Sequence, residues 1–336
     1  MNILVTGGTG FLGRALAHRL QSLSANVTVI GRNVAIGQQL QQAGLRFIYT
    51  DLADTAAIDT ACRHQDYVFH CGALSAPWGR FEDFYAANVL GTQNVIQGCL
   101  AHNVKRLIHL STPAIHFDYH DKLNLSEHAP LPRQQINGYA QTKYMAEQAI
   151  DAAHEQGLPV ITLRPRAIFG PGDTSLLPRL LEKLSRGQLP IIGNGQNMTD
   201  LTYIDNVVEA MLLCLESPPA TLGCKYYITN GEPIKLWPFI QHLSEQLGYP
   251  PPQRHVPRWL AYQVAGMMER YWDFSPYKVQ NHIRAKSSEP PLTRYAVGLL
   301  ATTFTLDITA ARQELGYQPK INMEEALAQT LRYGQE

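Results

Sequence analysis

Thr6-Gly-Gly-Thr-Gly-Phe-Leu-Gly13 decides the fold of this chain. Residues 2–5 just before it, apolar from Ile3 to Val5, read as a strand, and residues 11–23 after it read as a helix. Gly7, Gly10 and Gly13 therefore stand at a strand-to-helix turn, the context in which a glycine-rich motif binds a dinucleotide. Glycine lets the backbone turn tightly and approach a pyrophosphate, whose charge meets free N–H groups and the positive dipole at the helix start.

Outward from this turn, β-rich runs at 26–30, 46–49, 66–70, 105–110 and 160–163 alternate with helical patterns ending near 43 and at 55–62, 81–102 and 138–156. Such alternation predicts an α/β protein: a Rossmann-like doubly wound parallel sheet with helices on both faces. The segment 112–137, polar and rich in proline, is longer than most connections, and loops of that length tend to carry function. Beyond Arg164 prolines punctuate short elements. We expect a dinucleotide-binding domain over 1–165 and a smaller, mainly substrate-binding region over 166–336, some segments of which return to the Rossmann core.

Composition excludes several classes. Among 336 residues, Lys+Arg and Asp+Glu both number 28, so no net field attracts nucleic acid or an anionic membrane. The five cysteines, Cys62, Cys71, Cys99, Cys214 and Cys224, form no CxxC pair and read as free thiols of a reducing compartment. With no basic leader and no run of 18 apolar residues, the expectation is a cytoplasmic protein without a membrane span.

Tyr139-Ala-Gln-Thr-Lys143 carries the chemistry. Residues four apart share a helix face, so the spacing places the Lys143 ammonium near the Tyr139 phenol. A nearby cation is expected to lower the phenol pKa and to make Tyr139 a proton donor and acceptor near neutral pH. After the second strand, where an acidic residue would bind the ribose 2′-hydroxyl of NAD, the chain has Gly31-Arg32. Arginine suits a 2′-phosphate, so the predicted cofactor is NADP(H), with NAD(H) as the alternative. Asp51-Leu52, after the third strand, is placed to contact the adenine edge, and Asp51 equally reads as an N-cap of the next helix.

The order TGxxGxxG, Asn88-Val-Leu-Gly-Thr, Ser111-Thr112, YxxxK and Arg164-Pro165 resembles the extended short-chain dehydrogenase/reductase family over nearly the whole chain. That resemblance implies Tyr139 as acid/base, Lys143 as its electrostatic partner and a ligand of the nicotinamide ribose, and Thr112 as the hydroxyl partner, with Ser111 as fallback. It also implies cofactor contacts from Gly7, Thr9, Gly10, Phe11, Leu12, Gly13, Arg32, Asp51, Leu52, Gly72, Ala73, Tyr139, Lys143 and Pro165, the last backing the nicotinamide ring. Asn88 resembles a family asparagine with a structural role.

Within the family, sugar-nucleotide dehydratases carry Asp-Glu after the catalytic Thr, where this chain has Pro113-Ala114. Sugar-nucleotide epimerases need basic groups, for which Arg166, Arg179 and Arg186 are available. Pro290-Pro-Leu-Thr-Arg294, Phe304-Thr-Leu-Asp307, Ala310-Ala-Arg312 and Glu314-Leu-Gly-Tyr317-Gln-Pro319 resemble the 3β-hydroxysteroid dehydrogenase branch, including sterol-4-carboxylate 3-dehydrogenases. Gly72-Ala-Leu-Ser-Ala-Pro-Trp-Gly79 and Ser111-Thr-Pro-Ala-Ile-His-Phe117 look like bacterial 2-alkyl-3-ketoalkanoic acid reductases of olefin biosynthesis, from which the chain departs at Ala114 and His116. The resemblance implies NADPH-dependent reduction of a hydrophobic β-keto acid, a homodimer, and contact with other olefin-biosynthesis enzymes. The other readings are a steroid dehydrogenase, an epimerase and a non-catalytic NADP(H) sensor.

Leu260, Val264, Met267, Met268 and Tyr271 make one helical stripe, readable as core, as a Met-rich lid or as a membrane-surface contact. His116 and His120 fall in the long loop without an acidic or thiol partner, and no metal site is expected.

Overall fold

The computed structural model describes residues 1–274 and 289–333. The first half is built from β1 (Asn2–Thr6), α1 (Phe11–Ser22), β2 (Asn26–Gly31), α2 (Val34–Gln42), β3 (Arg46–Tyr49), α3 (Thr55–Cys62) and β4 (Tyr67–His70). There follow α4 (Phe81–Phe84), a π-helical stretch (Tyr85–Leu90), α5 (Gly91–Ala101), β5 (Arg106–Leu110), β6 (Lys122–Leu125), α6 (Gly138–Glu155) and β7 (Val160–Pro165). Short polar side chains start several of these helices: Asn33 accepts from the Ile36 amide, Asp54 from Ala57 and Asn137 from Ala140.

The second half begins with β8 (Ile168–Phe169), α7 (Leu177–Ser185), β9 (Ile191–Ile192), β10 (Met198–Thr199), β11 (Thr202–Tyr203), α8 (Ile204–Glu216) and β12 (Lys225–Ile228). It continues through β13 (Ile234–Lys235), α9 (Leu236–Gln246), β14 (His255–Val256), α10 (Arg258–Phe274), α11 (Arg294–Ala301), β15 (Phe304–Leu306), α12 (Thr309–Glu314) and α13 (Met323–Tyr333).

Seven parallel strands form the main sheet in the order β12-β7-β5-β4-β1-β2-β3. Side chains alternate across a strand, so Ile3 and Val5 of β1 enter one core with Leu16 and Leu20 of α1 and Val207 and Met211 of α8. Leu4 enters the opposite core with Ile58 of α3, Val95 of α5 and Ile150 of α6. Two helical layers thus cover both faces. The strand order reverses between β1 and β4, the switch point at which doubly wound sheets open a crevice beyond their carboxyl ends.

Three sequence expectations change. The helix predicted over 81–102 is interrupted by the π-helical stretch Tyr85–Leu90, and Asn88 within it is fully buried. The long segment 112–137 is not all loop: it contains β6, which pairs with β15 in a four-stranded sheet, Phe304 opposite Lys122. The stripe on α10 is not core: Leu260, Met267 and Tyr271 are exposed, and the helix buries Ala261, Ala265 and Glu269 instead. Small residues there let α10 approach α11 closely. No described helix is long and apolar enough to cross a membrane.

Candidate active site

The carboxyl ends of β1, β2, β4, β5 and β7 bring the predicted site residues to one edge of the sheet. Register places Thr6 beside His70, Leu110 beside Leu163 and Ile228 beside Pro165. At the glycine turn, Gly7 has φ +64°, and a Cβ there would stand 2.5 Å from the Gly72 Cα, so β1 and β4 touch backbone to backbone. A Cβ on Gly13 would stand 2.5 Å from the Gly7 carbonyl, which is why the start of α1 lies against the turn. The Gly10 amide donates back to the Gly7 carbonyl at 2.9 Å, and the Thr6 hydroxyl accepts from the Gly72 amide at 3.2 Å. Only glycine backbone leaves this cradle open in front of a helix N-terminus, so the residues present fit a dinucleotide pyrophosphate.

The remaining cofactor candidates cluster around the turn. Thr9 packs against Gly31, where an added Cβ would meet its hydroxyl at 2.4 Å. Phe11 and Leu12 open α1 and pack toward Phe169, Leu201 and Tyr203. Leu52 covers Gly72, and Ala73 continues the same loop. Arg32 and Asp51 meet each other in an exposed ion pair of 3.3 Å at the ends of β2 and β3. The N-cap of α3 is Asp54; Asp51 accepts from the Ala53 amide at 2.9 Å in a local turn. Pro165, buried, closes β7.

Tyr139 and Lys143 share a face of α6 but do not share a contact. The Lys143 ammonium donates to the Leu110 carbonyl at 2.6 Å. Burial lowers this lysine to about 8, with the Glu147 and Cys71 charges pulling it back up. Burial raises the Tyr139 phenol, while the nearby Ser75 and Thr112 hydroxyls oppose the rise. The lowered phenol pKa expected from a neighbouring cation is thus overturned: burial is the largest influence on the phenol, Lys143 is not among the groups that shift it, and it stays protonated at neutral pH. A protonated phenol is what a proton donor requires.

Thr112 and Ser111 part company at the end of β5. The Thr112 side chain meets Tyr139 and also accepts from the Ala114 amide at 3.2 Å, whereas Ser111 lies against Glu147. Successive residues of an extended chain point to opposite sides, which separates the two hydroxyls.

Several residues that the sequence left unassigned complete the site. Ser75, inside the quoted stretch from Gly72 to Gly79, reaches the Tyr139 hydroxyl. Its loop is held by Asn88, whose side chain accepts from the Leu74 amide at 2.7 Å and donates to the Leu74 carbonyl and to Thr142. Glu147, one turn beyond Lys143, takes Arg164 in a buried two-pronged ion pair at 2.8 and 2.5 Å. His116 is buried between the Tyr227 hydroxyl and the Ala129 carbonyl, which explains its place in the long segment.

Beside Tyr139 opens a cleft of about 460 Å³ lined by Trp78, Phe84, Tyr119, Gly138, Tyr262, Arg294 and Tyr295. The Phe84 ring lies 6.4 Å from that of Tyr139. Asp118, Gln134, Gln135, Asn137 and Glu269 share the wall with these rings, so the cleft offers both apolar and polar contacts.

A family model described as "NAD dependent epimerase/dehydratase family" matches residues 3–227. The chain is 38% identical over 332 residues to a 2-alkyl-3-oxoalkanoate reductase of Stenotrophomonas maltophilia, covering 97% of both chains. It is 32% identical to the human sterol-4-alpha-carboxylate 3-dehydrogenase, decarboxylating, covering 97% of this chain and 86% of that one. Among solved structures, the UDP-glucuronic acid 4-epimerase of Bacillus cereus in complex with NAD superposes with a TM-score of 0.75 at 20% identity, over 99% of this chain and 98% of that one. A glycine cradle at the switch point, a tyrosine and lysine on the helix beside it, and these matches agree: the chain belongs to the NAD dependent epimerase/dehydratase family of extended short-chain dehydrogenases/reductases and is an NAD(P)-dependent oxidoreductase.

Proposed function

We propose that this protein reduces the ketone of a long-chain 2-alkyl-3-oxoalkanoic acid to the 3-hydroxy acid at the expense of NADPH. The observation that carries the reading is the Tyr139 hydroxyl, grouped with Ser75 and Thr112 near a cleft whose wall carries both aromatic and polar side chains. The 38% identical Stenotrophomonas maltophilia reductase, whose name states this substrate class, supports it.

In this reading the glycine turn binds the pyrophosphate, Arg32 the 2′-phosphate and Lys143 the nicotinamide ribose, with Pro165 against the ring. The nicotinamide, when bound, supplies the hydride. Thr112 and Tyr139 hold the ketone oxygen by hydrogen bonds, and Tyr139 passes its phenolic proton to that oxygen as it becomes an alkoxide. Lys143 stabilises the tyrosinate left behind. The protein works as a cytoplasmic homodimer, in contact with the enzymes that make its substrate by condensing two fatty acyl chains.

A second reading, a sterol or 3β-hydroxysteroid dehydrogenase, is favoured by the 32% identity to the human sterol dehydrogenase. An epimerase has less support, because the two curated relatives described above are named as a reductase and a dehydrogenase. A cofactor sensor would have no use for the intact Tyr139, Thr112 and Lys143 group.

The test is NADPH absorbance during incubation with a 2-alkyl-3-oxoalkanoic acid and, separately, a 3-ketosteroid. Consumption with the acid is expected. Turnover of the steroid alone would move the assignment to the second reading, and cofactor binding without turnover of any ketone would leave a sensor.

A further inference from the structure

Three arginines surround the site, and two of them have their charge answered. Arg164 is gripped by Glu147 at 2.8 and 2.5 Å. Arg294, on the cleft wall, is bonded to Glu269 at 2.5 Å and lies over the Tyr262 ring. The third, Arg166, is only 8% exposed, yet its Nε has no hydrogen-bond partner and no carboxylate forms an ion pair with it among the described residues. Its guanidinium lies 4.8 Å above the Phe304 ring centre, a face that accepts a cation but offers no anion.

A buried guanidinium without a bonded counter-ion is costly, so its retention asks for a ligand. Asp200 is the acid close enough to act on it through charge alone. One Asp200 oxygen accepts from the Leu306 amide at 2.7 Å and the other carries no partner, so the aspartate screens Arg166 without bonding it.

The backbone aims this arginine with unusual firmness. The Arg166 amide donates to the Ile228 carbonyl at 3.1 Å, and its own carbonyl accepts from the Thr202 hydroxyl. Ala167, the next residue, is held at φ 43°, a left-handed conformation that a Cβ disfavours. Packed rings link the position to the cleft: Phe304, under Arg166, lies 5.4 Å from the Phe117 ring, and Phe117 lies 6.1 Å from Tyr295, which lines the cleft.

We propose that Arg166 recognises the carboxylate of the substrate, a specificity-determining contact that rests on the β-keto acid reading given above. In this proposal the carboxylate, one carbon removed from the ketone, binds Arg166 while the ketone oxygen meets Thr112 and Tyr139. Arginine offers that group two parallel N–H donors, the strongest arrangement available to an uncoordinated carboxylate. The same contact rejects simple ketones, which would leave the guanidinium unanswered.

Because β-keto acids lose carbon dioxide readily, the stable 2-alkyl-3-hydroxy acid and its methyl ester are the probes. Their binding to the full-length protein loaded with NADP⁺ is measured by calorimetry for the wild type, Arg166→Met and Arg166→Lys. The wild type is expected to bind the acid at least about tenfold more tightly than the ester, as a charge-assisted bidentate contact provides. Arg166→Met should erase the preference with ester affinity equal to or above that of the wild type, and Arg166→Lys should keep part of it.

Equal binding of acid and ester by the wild type, or an undiminished preference in Arg166→Met, would overturn the proposal. If Arg166→Met does not fold, an Arg166→Lys protein with the full preference overturns it instead. Arg166-dependent acid binding without oxidation by NADP⁺ would keep the carboxylate site and sink the reductase reading. Oxidation of acid and ester at equal rates in all three proteins would do the reverse.

Discussion

The Lys143 ammonium is tied to the Leu110 main-chain carbonyl by a hydrogen bond of 2.6 Å, and so the helix carrying Tyr139 is pinned to the strand that delivers Thr112. Leu110 is the last residue of β5, two before Thr112, so the bond sets the distance between the two hydroxyls of the site. Burial lowers the lysine to about 8 without neutralising it at pH 7.

Replacing Tyr139 by Phe removes the hydroxyl that meets Ser75 and Thr112 and leaves the ring beside Phe84. Turnover should fall by roughly a hundredfold or more, the scale of general acid catalysis, with NADPH affinity within about twofold of wild type. Steady-state rates and cofactor fluorescence measure the two separately. A mutant with normal turnover would falsify the assignment of Tyr139 as proton donor.

The same lysine sets a pH limit on reduction. Below about 8 it is cationic and, in the proposed mechanism, would stabilise the tyrosinate; above that value the charge is lost. We expect kcat/KM for ketone reduction to decline as the pH rises through about 8. In Lys143→Met that limb should vanish and the plateau drop, and an unchanged limb in the mutant would assign it to another group.

Arg32 and Asp51 form an exposed pair at the adenosine end of the cradle, with neither side chain buried. An exposed pair of this kind stabilises the fold little, so Arg32 is free to exchange Asp51 for a phosphate. Arg32→Ala should raise KM for NADPH by about tenfold while leaving that for NADH nearly constant. Equal effects on both cofactors would remove the 2′-phosphate from its role.

Glu147 and Arg164 are 2% and 5% exposed, and each is the other's charge partner. Glu147→Ala leaves a buried guanidinium unpaired and should cost about 3–5 kcal/mol in chemical denaturation. The double substitution Glu147→Leu with Arg164→Met should be less destabilised than the single one. A double mutant worse than the single would mean that the pair stabilises beyond its own desolvation.

Acid should destabilise the protein through its buried histidines. Burial lowers His70 from 6.5 to about 3 and His116 to about 4, and His109 falls well below its ordinary value, chiefly by burial with the Lys143 charge adding to it. Unfolded, these groups bind protons at 6.5; folded, they do not, so stability is lost as the pH falls from 6.5 toward 4. His70 and His116 each contribute about 1.4 kcal/mol per pH unit within that window. His109→Leu should flatten the slope, and denaturant titrations with an unaltered slope would contradict the account.

The succession of strands and helices in the first half, the glycine cradle and the helix bearing Tyr139 were legible in the sequence because each rests on neighbours in the chain. A turn that needs φ +64° at Gly7, or a strand that alternates Ile3, Leu4 and Val5 between two cores, leaves its mark within a few residues. The outward face of α10 was not legible. Apolar spacing marks a stripe but not which side meets the protein, and here Ala261 and Ala265 make the contact. Nor was β6, whose partner Phe304 lies far along the chain from Lys122.

By itself, then, the sequence determined a doubly wound sheet, a dinucleotide turn at its first crossover and a tyrosine and lysine one helical turn apart, since local conformation and hydrophobic period carry that information. Only the tertiary structure decided what those groups do to one another. It sent Lys143 to Leu110 rather than to Tyr139, paired Glu147 with Arg164 and left Arg166 buried without a bonded acid. Burial and charge pairing depend on segments brought together from across the chain, and desolvation, not spacing, set the protonation of Tyr139.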